Sequence, residues 1–235
     1  MAMEFGLLIV AAYLLGSVPA AYLAAKWCRG IDLRQYGSGN VGASNLLTIT
    51  SKRIAIPVII FDVGKGAMMV WAAQLLGLGI AEQVTIGLAA IVGHNWPVFL
   101  RFNGGRGALT TIGVLLILTP WLALILVVFA FLFYPFRQLA LGTTLAMAAL
   151  PLCSWFFNPP FGFGIEERLP VSLGFLAIFL VTLLRRLTAP RTSLSASVPR
   201  GQLIINRLLF DRDIRDREAW IKRQPSEQQE KQEKG

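Results

Sequence analysis

The sequence predicts an all-α, polytopic integral membrane protein with seven transmembrane helices, an external N-terminus and a cytoplasmic C-terminus. Of the 235 residues, 55% are hydrophobic and only 15% are charged, and the mean hydropathy is +0.60. A soluble domain carries about 25% charged residues, and it could not hide so many apolar side chains from water. A soluble enzyme and a free nucleic-acid-binding protein are therefore excluded, although the net charge is +9.

Seven apolar segments account for the predicted helices. About 20 apolar residues are needed to cross a hydrocarbon layer of about 30 Å, and fewer when the helix is short. The segments are residues 5–25, 54–78, 84–100, 107–118, 121–134, 139–157 and 170–184. The fourth and fifth are separated at Thr119-Pro120, because a residue before proline disfavours the helical conformation. We expect the first segment to be a retained helix, since no Ala-x-Ala cleavage site follows it.

The distribution of basic residues predicts the orientation. All of the 22 Lys and Arg residues except Lys65 and Arg168 fall in loops and a tail that are cytoplasmic when the N-terminus is outside, as the positive-inside rule requires. We divide the chain into a membrane domain, residues 1–187, and a basic cytoplasmic tail, residues 188–235. Apolar residues at helical spacing near residues 203–209 predict an amphipathic helix, either on an anionic membrane surface or docked on the protein's own cytosolic face. Disorder is expected from Pro225 onward.

A glycine-rich loop follows the first segment. It reads Gly37-Ser38-Gly39-Asn40-Val41-Gly42-Ala43-Ser44-Asn45. Closely spaced glycines allow positive φ and bring backbone N–H groups close to a ligand, while the serine and asparagine side chains add donors. Such a loop suits a phosphate group. The alternative is a tight re-entrant turn whose polar side chains only satisfy the backbone at membrane depth.

A second polar cluster joins the third segment to the fourth. It contains His94 and then Gly104-Gly105-Arg106-Gly107, directly before a predicted helix. Glycines before a helix N-terminus favour anion binding, and Arg106 can add a bidentate contact to phosphate. Alternatively, Arg101 and Arg106 only set the orientation in the membrane. His94 is either a hydrogen-bonded interfacial histidine or a substrate contact.

Asp62 and Lys65 are charged residues inside the second segment, three residues apart and so on one helical face. Charges within the membrane are costly, so a mutually paired structural role and a direct substrate contact both remain open. With one histidine, and with Cys28 and Cys153 expected as unpaired core residues, a His/Cys metal site is not predicted. No cofactor and no covalent nucleophile are expected, which leaves positional and electrostatic catalysis.

These motifs together resemble a known family. The residues that carry the resemblance are Gly16-Ser17, the loop 37–45, Asp62-Val63-Gly64-Lys65-Gly66, Gly93-His94 and Gly104-Gly105-Arg106-Gly107. Over residues 5–187 the chain resembles the acyl-phosphate:glycerol-3-phosphate acyltransferases of the PlsY type. The resemblance implies a bacterial inner-membrane enzyme of phospholipid synthesis, with its active site on the cytoplasmic face. Such an enzyme transfers a fatty acyl group from acyl phosphate to the sn-1 position of glycerol 3-phosphate, giving lysophosphatidic acid, and an enzyme that forms acyl phosphate is a candidate partner.

The resemblance also implies roles for individual residues. Ser38, Asn40, Asn45 and Arg106 would be catalytic. The substrate-binding residues would be Gly37, Gly39, Gly42, Ser44, Asp62, Lys65, His94, Gly104, Gly105 and Gly107. Among these, the glycines of the second cluster would cradle a phosphate through their backbone amides, and the acyl chain would lie between helices.

The sequence departs from the family pattern at four places. The family usually has lysine at the position of Arg106, arginine at that of Thr48, a serine near residues 137–141, and a histidine and an asparagine within residues 184–190. The last three departures lie on the proposed glycerol 3-phosphate side. Either Arg185, Arg186 or tail residues replace these contacts, or the chain is a divergent paralogue with another acceptor, or it is a non-catalytic partner that binds a lipid phosphate.

Overall fold

The protein is described by a computed structural model covering residues 2–156 and 164–225, and all regular elements in these ranges are helical. The membrane domain contains α1 (Ala2–Gly16), α2 (Ala20–Arg29), α3 (Ala43–Ile49), α4 (Lys52–Leu75), α5 (Ile80–Asn95), α6 (Ala108–Leu118), α7 (Pro120–Leu132), α8 (Leu139–Phe156) and α9 (Ile165–Leu187). The tail adds α10 (Arg200–Phe210) and α11 (Arg217–Ile221). The all-α prediction is thus confirmed for the described residues.

Four helical stretches within the described residues are long and apolar enough to cross a membrane. They are Ala2–Arg29, Lys52–Leu75, Leu139–Phe156 and Glu166–Leu187. Two further apolar helices, α6 and α7, are shorter, and α5 has 16 residues. The long stretches coincide with four of the seven predicted segments, and Phe157, the predicted end of the sixth segment, lies outside the described residues.

Prolines set two helix boundaries. The predicted break at Thr119-Pro120 is confirmed, since α6 ends at Leu118 and α7 begins at Pro120. The first predicted segment, by contrast, is not one continuous helix: α1 ends at Gly16 and α2 begins at Ala20. The physical reason is Pro19, which lacks an N–H group and restricts Val18 before it.

The helices approach one another closely at glycines. A Cβ atom at Gly113 of α6 would lie 1.9 Å from the carbonyl oxygen of Val63 on α4, and one at Gly93 of α5 would lie 2.2 Å from that of Tyr13 on α1. Small residues at helix crossings are the usual means of tight packing in membranes. The first crossing brings α6 against α4, and the second brings α5 against α1.

The tail packs on the membrane domain through α10, which contacts α8 and α9. Leu203, Asn206 and Arg207 are buried, whereas Ile204 and Ile205 are about half exposed, at 49% and 52%. The helix thus contacts the protein itself, as one of the two predicted alternatives expects, and contact of its exposed isoleucines with a membrane surface stays a prediction. The disorder predicted from Pro225 onward concerns residues 226–235, which lie outside the described residues.

The two cysteines are unpaired, as predicted, but only one lies near the core. Cys153 on α8 is partly buried and packs against the main apolar cluster. Cys28 is exposed near the end of α2, so its expected place in the core is wrong. The last turn of α2 also carries Lys26 and Arg29, which places Cys28 on a polar helix end.

Candidate active site

The first glycine loop is held together by Asn45. Its Oδ1 atom accepts from the backbone N–H of Ser38 at 3.1 Å, and its Nδ2 atom donates to the carbonyl oxygens of Leu33, Tyr36 and Asn40 at 3.3, 3.0 and 3.1 Å. The side chain is 4% exposed. Asn45 was expected to contact substrate. In the structure its amide group makes these four hydrogen bonds and so shapes the loop, and a contact with substrate stays a prediction.

The backbone amides of residues 37–40 are also used within the protein. The N–H of Gly37 donates to the carbonyl of Arg223, that of Gly39 to the carbonyl of Tyr36, and that of Asn40 to the Oγ atom of Ser38, at 2.9, 2.9 and 3.3 Å. Gly37 and Gly39 have positive φ angles of 53° and 69°, as predicted. The expected phosphate cradle of backbone amides is therefore not formed by these four residues, because each amide already has an acceptor.

A cavity of about 620 Å³ opens beside this loop. From the loop it is lined by Ser38, Gly39 and Asn40. Arg106 lines it from residues 104–107, which we call the second glycine cluster. The other loop residues do not line the cavity: Gly37, Gly42 and Asn45 are buried, and Ser44 is exposed. Four of the predicted site residues are thus brought together around one space.

The second glycine cluster packs tightly against the end of α5. The amides of Gly104 and Gly105 donate to the carbonyl oxygens of Asn95 and His94 at 3.3 and 3.0 Å. A Cβ atom at Gly105 would lie 2.1 Å from Nε2 of His94, and one at Gly104 would lie 2.2 Å from the His94 carbonyl oxygen. These two glycines serve close packing, because side chains would collide with α5. Their expected role as amide donors to phosphate is therefore corrected.

The backbone N–H groups near the start of α6 differ from those of Gly104 and Gly105. Gly107 has φ 74° and precedes the helix as its N-cap. Within the part of the chain that the structure describes, the N–H groups of Arg106, Gly107 and Ala108 have no backbone acceptor. A helix N-terminus with free amides favours an anion. Of these three residues, Arg106 lines the cavity whereas Gly107 and Ala108 do not, so an anion site at this helix N-terminus stays a prediction.

Arginines dominate the charge around the cavity. They are Arg34, Arg106, Arg185, Arg191 and Arg223. Arg34 binds Asp32 at 2.6 Å, and the hydrogen bonds from its guanidinium lower the pKa of Asp32 below its ordinary value. Arg106 binds Asp211 of the tail, with 2.6 Å between Nε and Oδ1. These two cations are neutralised by carboxylates.

Arg185 braces the second glycine cluster from α9. Its Nε atom donates to the carbonyl oxygen of Gly105 at 3.2 Å, and its Nη2 atom donates to the carbonyl oxygen of Gly104 and to Oδ1 of Asn103, both at 2.8 Å. The residue is 2% exposed and reaches the cavity wall. In the sequence, a basic residue near the end of an apolar helix also fits an orientation signal, so this bracing role could not be recognised from the sequence alone.

Asp62, Lys65 and His94 form a buried cluster beneath the second glycine cluster. The Nζ atom of Lys65 lies 2.8 Å from Oδ1 of Asp62 and 2.8 Å from Nδ1 of His94, and it donates to the carbonyl oxygen of Gly16 at 3.0 Å. None of the three charged or polar side chains lines the 620 Å³ cavity. The geometry shows the paired role. Asp62 and His94 also line a second, much smaller cavity together with Gly104 and Gly105, so a direct substrate contact stays a prediction.

Comparison with known proteins assigns the chain to a family. A family model described as glycerol-3-phosphate acyltransferase matches residues 6–192. Glycerol-3-phosphate acyltransferase 5 of Dehalococcoides mccartyi is 48% identical over 95% of each chain, so that match extends into the tail. Glycerol-3-phosphate acyltransferase of Laribacter hongkongensis is 39% identical, over 72% of this chain and 85% of its own.

A solved structure shows the same fold. The crystal structure of PlsY, an integral membrane glycerol 3-phosphate acyltransferase, in its glycerol 3-phosphate form superposes with a TM-score of 0.71 at 30% identity, covering 91% of this chain and 96% of that one. A second form of PlsY, with lysophosphatidic acid, gives 0.69 at 28% identity, covering 93% of this chain and 98% of that one. By family model, sequence and fold, the chain belongs to the glycerol-3-phosphate acyltransferase family.

Proposed function

We propose that this protein transfers a fatty acyl group from acyl phosphate to the sn-1 hydroxyl of glycerol 3-phosphate, as an enzyme of phospholipid synthesis. The products are lysophosphatidic acid and inorganic phosphate. The observation that supports this most directly is the arginine-lined cavity between the two glycine clusters. Both substrates carry phosphate groups, and arginine recognises phosphate through charge-assisted, bidentate hydrogen bonds.

The reaction needs no nucleophile from the protein. In acyl phosphate the acyl group is already activated as a mixed anhydride, so the sn-1 oxygen attacks the carbonyl carbon directly. A carbon–oxygen bond forms to glycerol 3-phosphate, the bond from the carbonyl carbon to the phosphate oxygen breaks, and the hydroxyl proton leaves with the phosphate or to water. Positioning the two substrates and stabilising the developing charge supply the acceleration.

The geometry supports two kinds of role for the site residues, substrate contact and positioning. Ser38, Asn40 and Arg106 line the cavity and are proposed to contact the substrates. Asn45 and Arg185 are positioning residues, because their polar groups hold the first loop and the second glycine cluster. The acyl chain is proposed to lie between the helices, within reach of the membrane.

We further propose that the chain crosses a bacterial inner membrane seven times, with the N-terminus outside and the cavity on the cytoplasmic side. The four long apolar stretches, together with α5, α6 and α7, supply the seven crossings. The cavity is lined by the same loops and tail that carry nearly all of the basic residues. A cytoplasmic cavity would receive acyl phosphate from the enzyme that forms it.

The test measures phosphate release from palmitoyl phosphate by the purified protein, with and without glycerol 3-phosphate. Wild-type protein is expected to release phosphate only when the acceptor is present. Ser38→Ala is expected to lower the rate by about 100-fold, the cost of removing one preorganised donor from a reacting centre. Ser197→Ala, which removes an exposed tail hydroxyl, is the matched control and should behave as wild type.

Two outcomes would contradict the proposal. Folded protein that binds palmitoyl phosphate but shows no release with glycerol 3-phosphate would indicate another acceptor or a non-catalytic role in binding lipid phosphates. A Ser38→Ala variant with wild-type turnover would remove Ser38 from the reacting site.

A further inference from the structure

We propose that Arg223, in the C-terminal tail, binds the phosphate group of the acceptor. This inference rests on the proposed function and names a residue for one of its two substrates. It is carried by three observations: the tail is fixed in place by buried polar contacts, Arg223 is docked on the first glycine loop, and its charge has no carboxylate partner among the described residues.

The tail is fixed by a buried ion pair. The Nε atom of Arg207 lies 2.7 Å from Oδ1 of Asp213, and the two residues are 5% and 3% exposed. The Nη1 atom of Arg207 also donates to the carbonyl oxygens of Leu187 and Ala189 at 2.9 and 2.7 Å. Trp220 of α11 is buried as well, at 5% exposure. The segment that leads to Arg223 is therefore part of the folded protein.

Arg223 is docked on the first glycine loop by backbone and side chain. Its carbonyl oxygen accepts from the N–H of Gly37 at 2.9 Å, while its Nε atom donates to the Gly37 carbonyl at 2.9 Å and its Nη2 atom to the Arg34 carbonyl at 3.0 Å. A Cβ atom at Gly39 would lie 2.9 Å from Nη2. The guanidinium thus occupies the space that the missing side chain of Gly39 leaves free.

The guanidinium of Arg223 lines the cavity and has no carboxylate partner among the described residues. Arg34 and Arg106 are paired with Asp32 and Asp211. Arg223 also lines the cavity, but both of its protein acceptors are carbonyl oxygens, and its Nη1 atom has no acceptor within the described ranges. A half-buried cation with a free N–H edge in a cavity is suited to a phosphate dianion.

The experiment compares kinetic constants for the two substrates in the full-length protein. Arg223→Gln is expected to raise KM for glycerol 3-phosphate by about 10-fold to 100-fold, the usual range for one charge-assisted hydrogen bond. KM for palmitoyl phosphate should change less than about twofold. Arg215→Gln, which removes an exposed arginine from the same tail, is the matched control and should leave both constants unchanged. Arg223→Lys keeps the charge and should recover part of the affinity.

Equilibrium binding of glycerol 3-phosphate, measured by calorimetry, separates this inference from the proposed function. Weaker binding by Arg223→Gln than by wild type supports the inference, even if the wild type shows no turnover and the acyltransfer proposal fails. An active wild type with an unchanged KM for glycerol 3-phosphate in Arg223→Gln overturns the inference alone. Equal increases of both KM values, or a comparable loss in Arg215→Gln, would indicate a structural role and would also overturn it. If the Gln variant does not fold, the same comparison is made with Arg223→Lys.

Discussion

Gly105 shows how strictly a single position is determined by its neighbour. We expect Gly105→Ala to lower turnover by at least about 100-fold, because the added Cβ would lie 2.1 Å from Nε2 of His94. The collision would displace the second glycine cluster and with it Arg106, its cavity-lining donor. Gly64→Ala is the matched control, since a Cβ atom at Gly64 of α4 meets nothing within 4 Å. Alanine in a helix is favoured over glycine by up to about 1 kcal/mol, so this variant should fold and turn over normally.

The measurement combines phosphate release with the apparent Tm of both variants. Wild-type activity in Gly105→Ala would show that the close approach of His94 is not required. Lost activity in Gly64→Ala would show that a glycine can be required even where a Cβ atom has room.

The residues of the site were easier to predict than their roles. The sequence identified both glycine clusters, and the structure places four of the named residues around one cavity. The predicted reason, amides that face a ligand, fails at Gly104 and Gly105 because those amides bind α5. A glycine needed by a ligand and a glycine needed by a neighbouring helix have the same spacing in a sequence. The same limit applies to Asn45, whose acceptors become visible only once the loop is folded.

Lys65 connects three helices. From α4 it reaches Gly16 at the end of α1 and His94 on α5, while pairing with Asp62 on its own helix. The spacing of Asp62 and Lys65 predicted their pairing, but the contacts to α1 and α5 are long-range and could not be read from helical periodicity. The cluster therefore fixes the relative placement of the helices that support the second glycine cluster.

Removing Lys65 alone should be worse than removing the whole ion pair. Lys65→Met leaves the carboxylate of Asp62 buried without its cation, which we expect to cost about 3–5 kcal/mol of stability. The double variant Asp62→Asn/Lys65→Met should recover part of this loss. The apparent Tm in detergent measures the effect, with Lys52→Met, at an exposed position of the same helix, as the control. A double variant as unstable as the single one would show that the pair itself is not the cause.

Two helices end shortly before a proline, and the sequence predicted only one of these two ends. At Thr119-Pro120 the break was predicted, whereas at Val18-Pro19 the apolar run continues through the proline and conceals the end of α1. Hydropathy measures how well a segment suits the membrane and does not report a lost backbone hydrogen bond. The all-helical class of the protein and its four long apolar stretches were therefore predictable, while this interruption was not.

For the whole molecule, the proposed orientation can be tested with the protein's own cysteines. Cys28 is exposed near the end of α2, on the side proposed to be cytoplasmic, whereas Cys153 is partly buried in α8. We expect a membrane-impermeant maleimide to label Cys28 in inside-out vesicles and not in right-side-out vesicles. Labelling should disappear in Cys28→Ser. The opposite labelling pattern would contradict the proposed orientation. In that orientation the basic loops and the cavity lie on the same side of the membrane as Cys28.

The contact between Gly37 and Arg223 joins residues 186 positions apart in the chain. Synthesis proceeds from the N-terminus at roughly 5–20 residues per second, so the first loop waits roughly 10–40 s for its partner. During that time the helices enter the membrane while the wall that the tail supplies is still missing. A chain interrupted after α9 would keep its membrane helices but lack Arg223 and Asp211. Completion of the cavity thus depends on a segment that is synthesised long after the first loop.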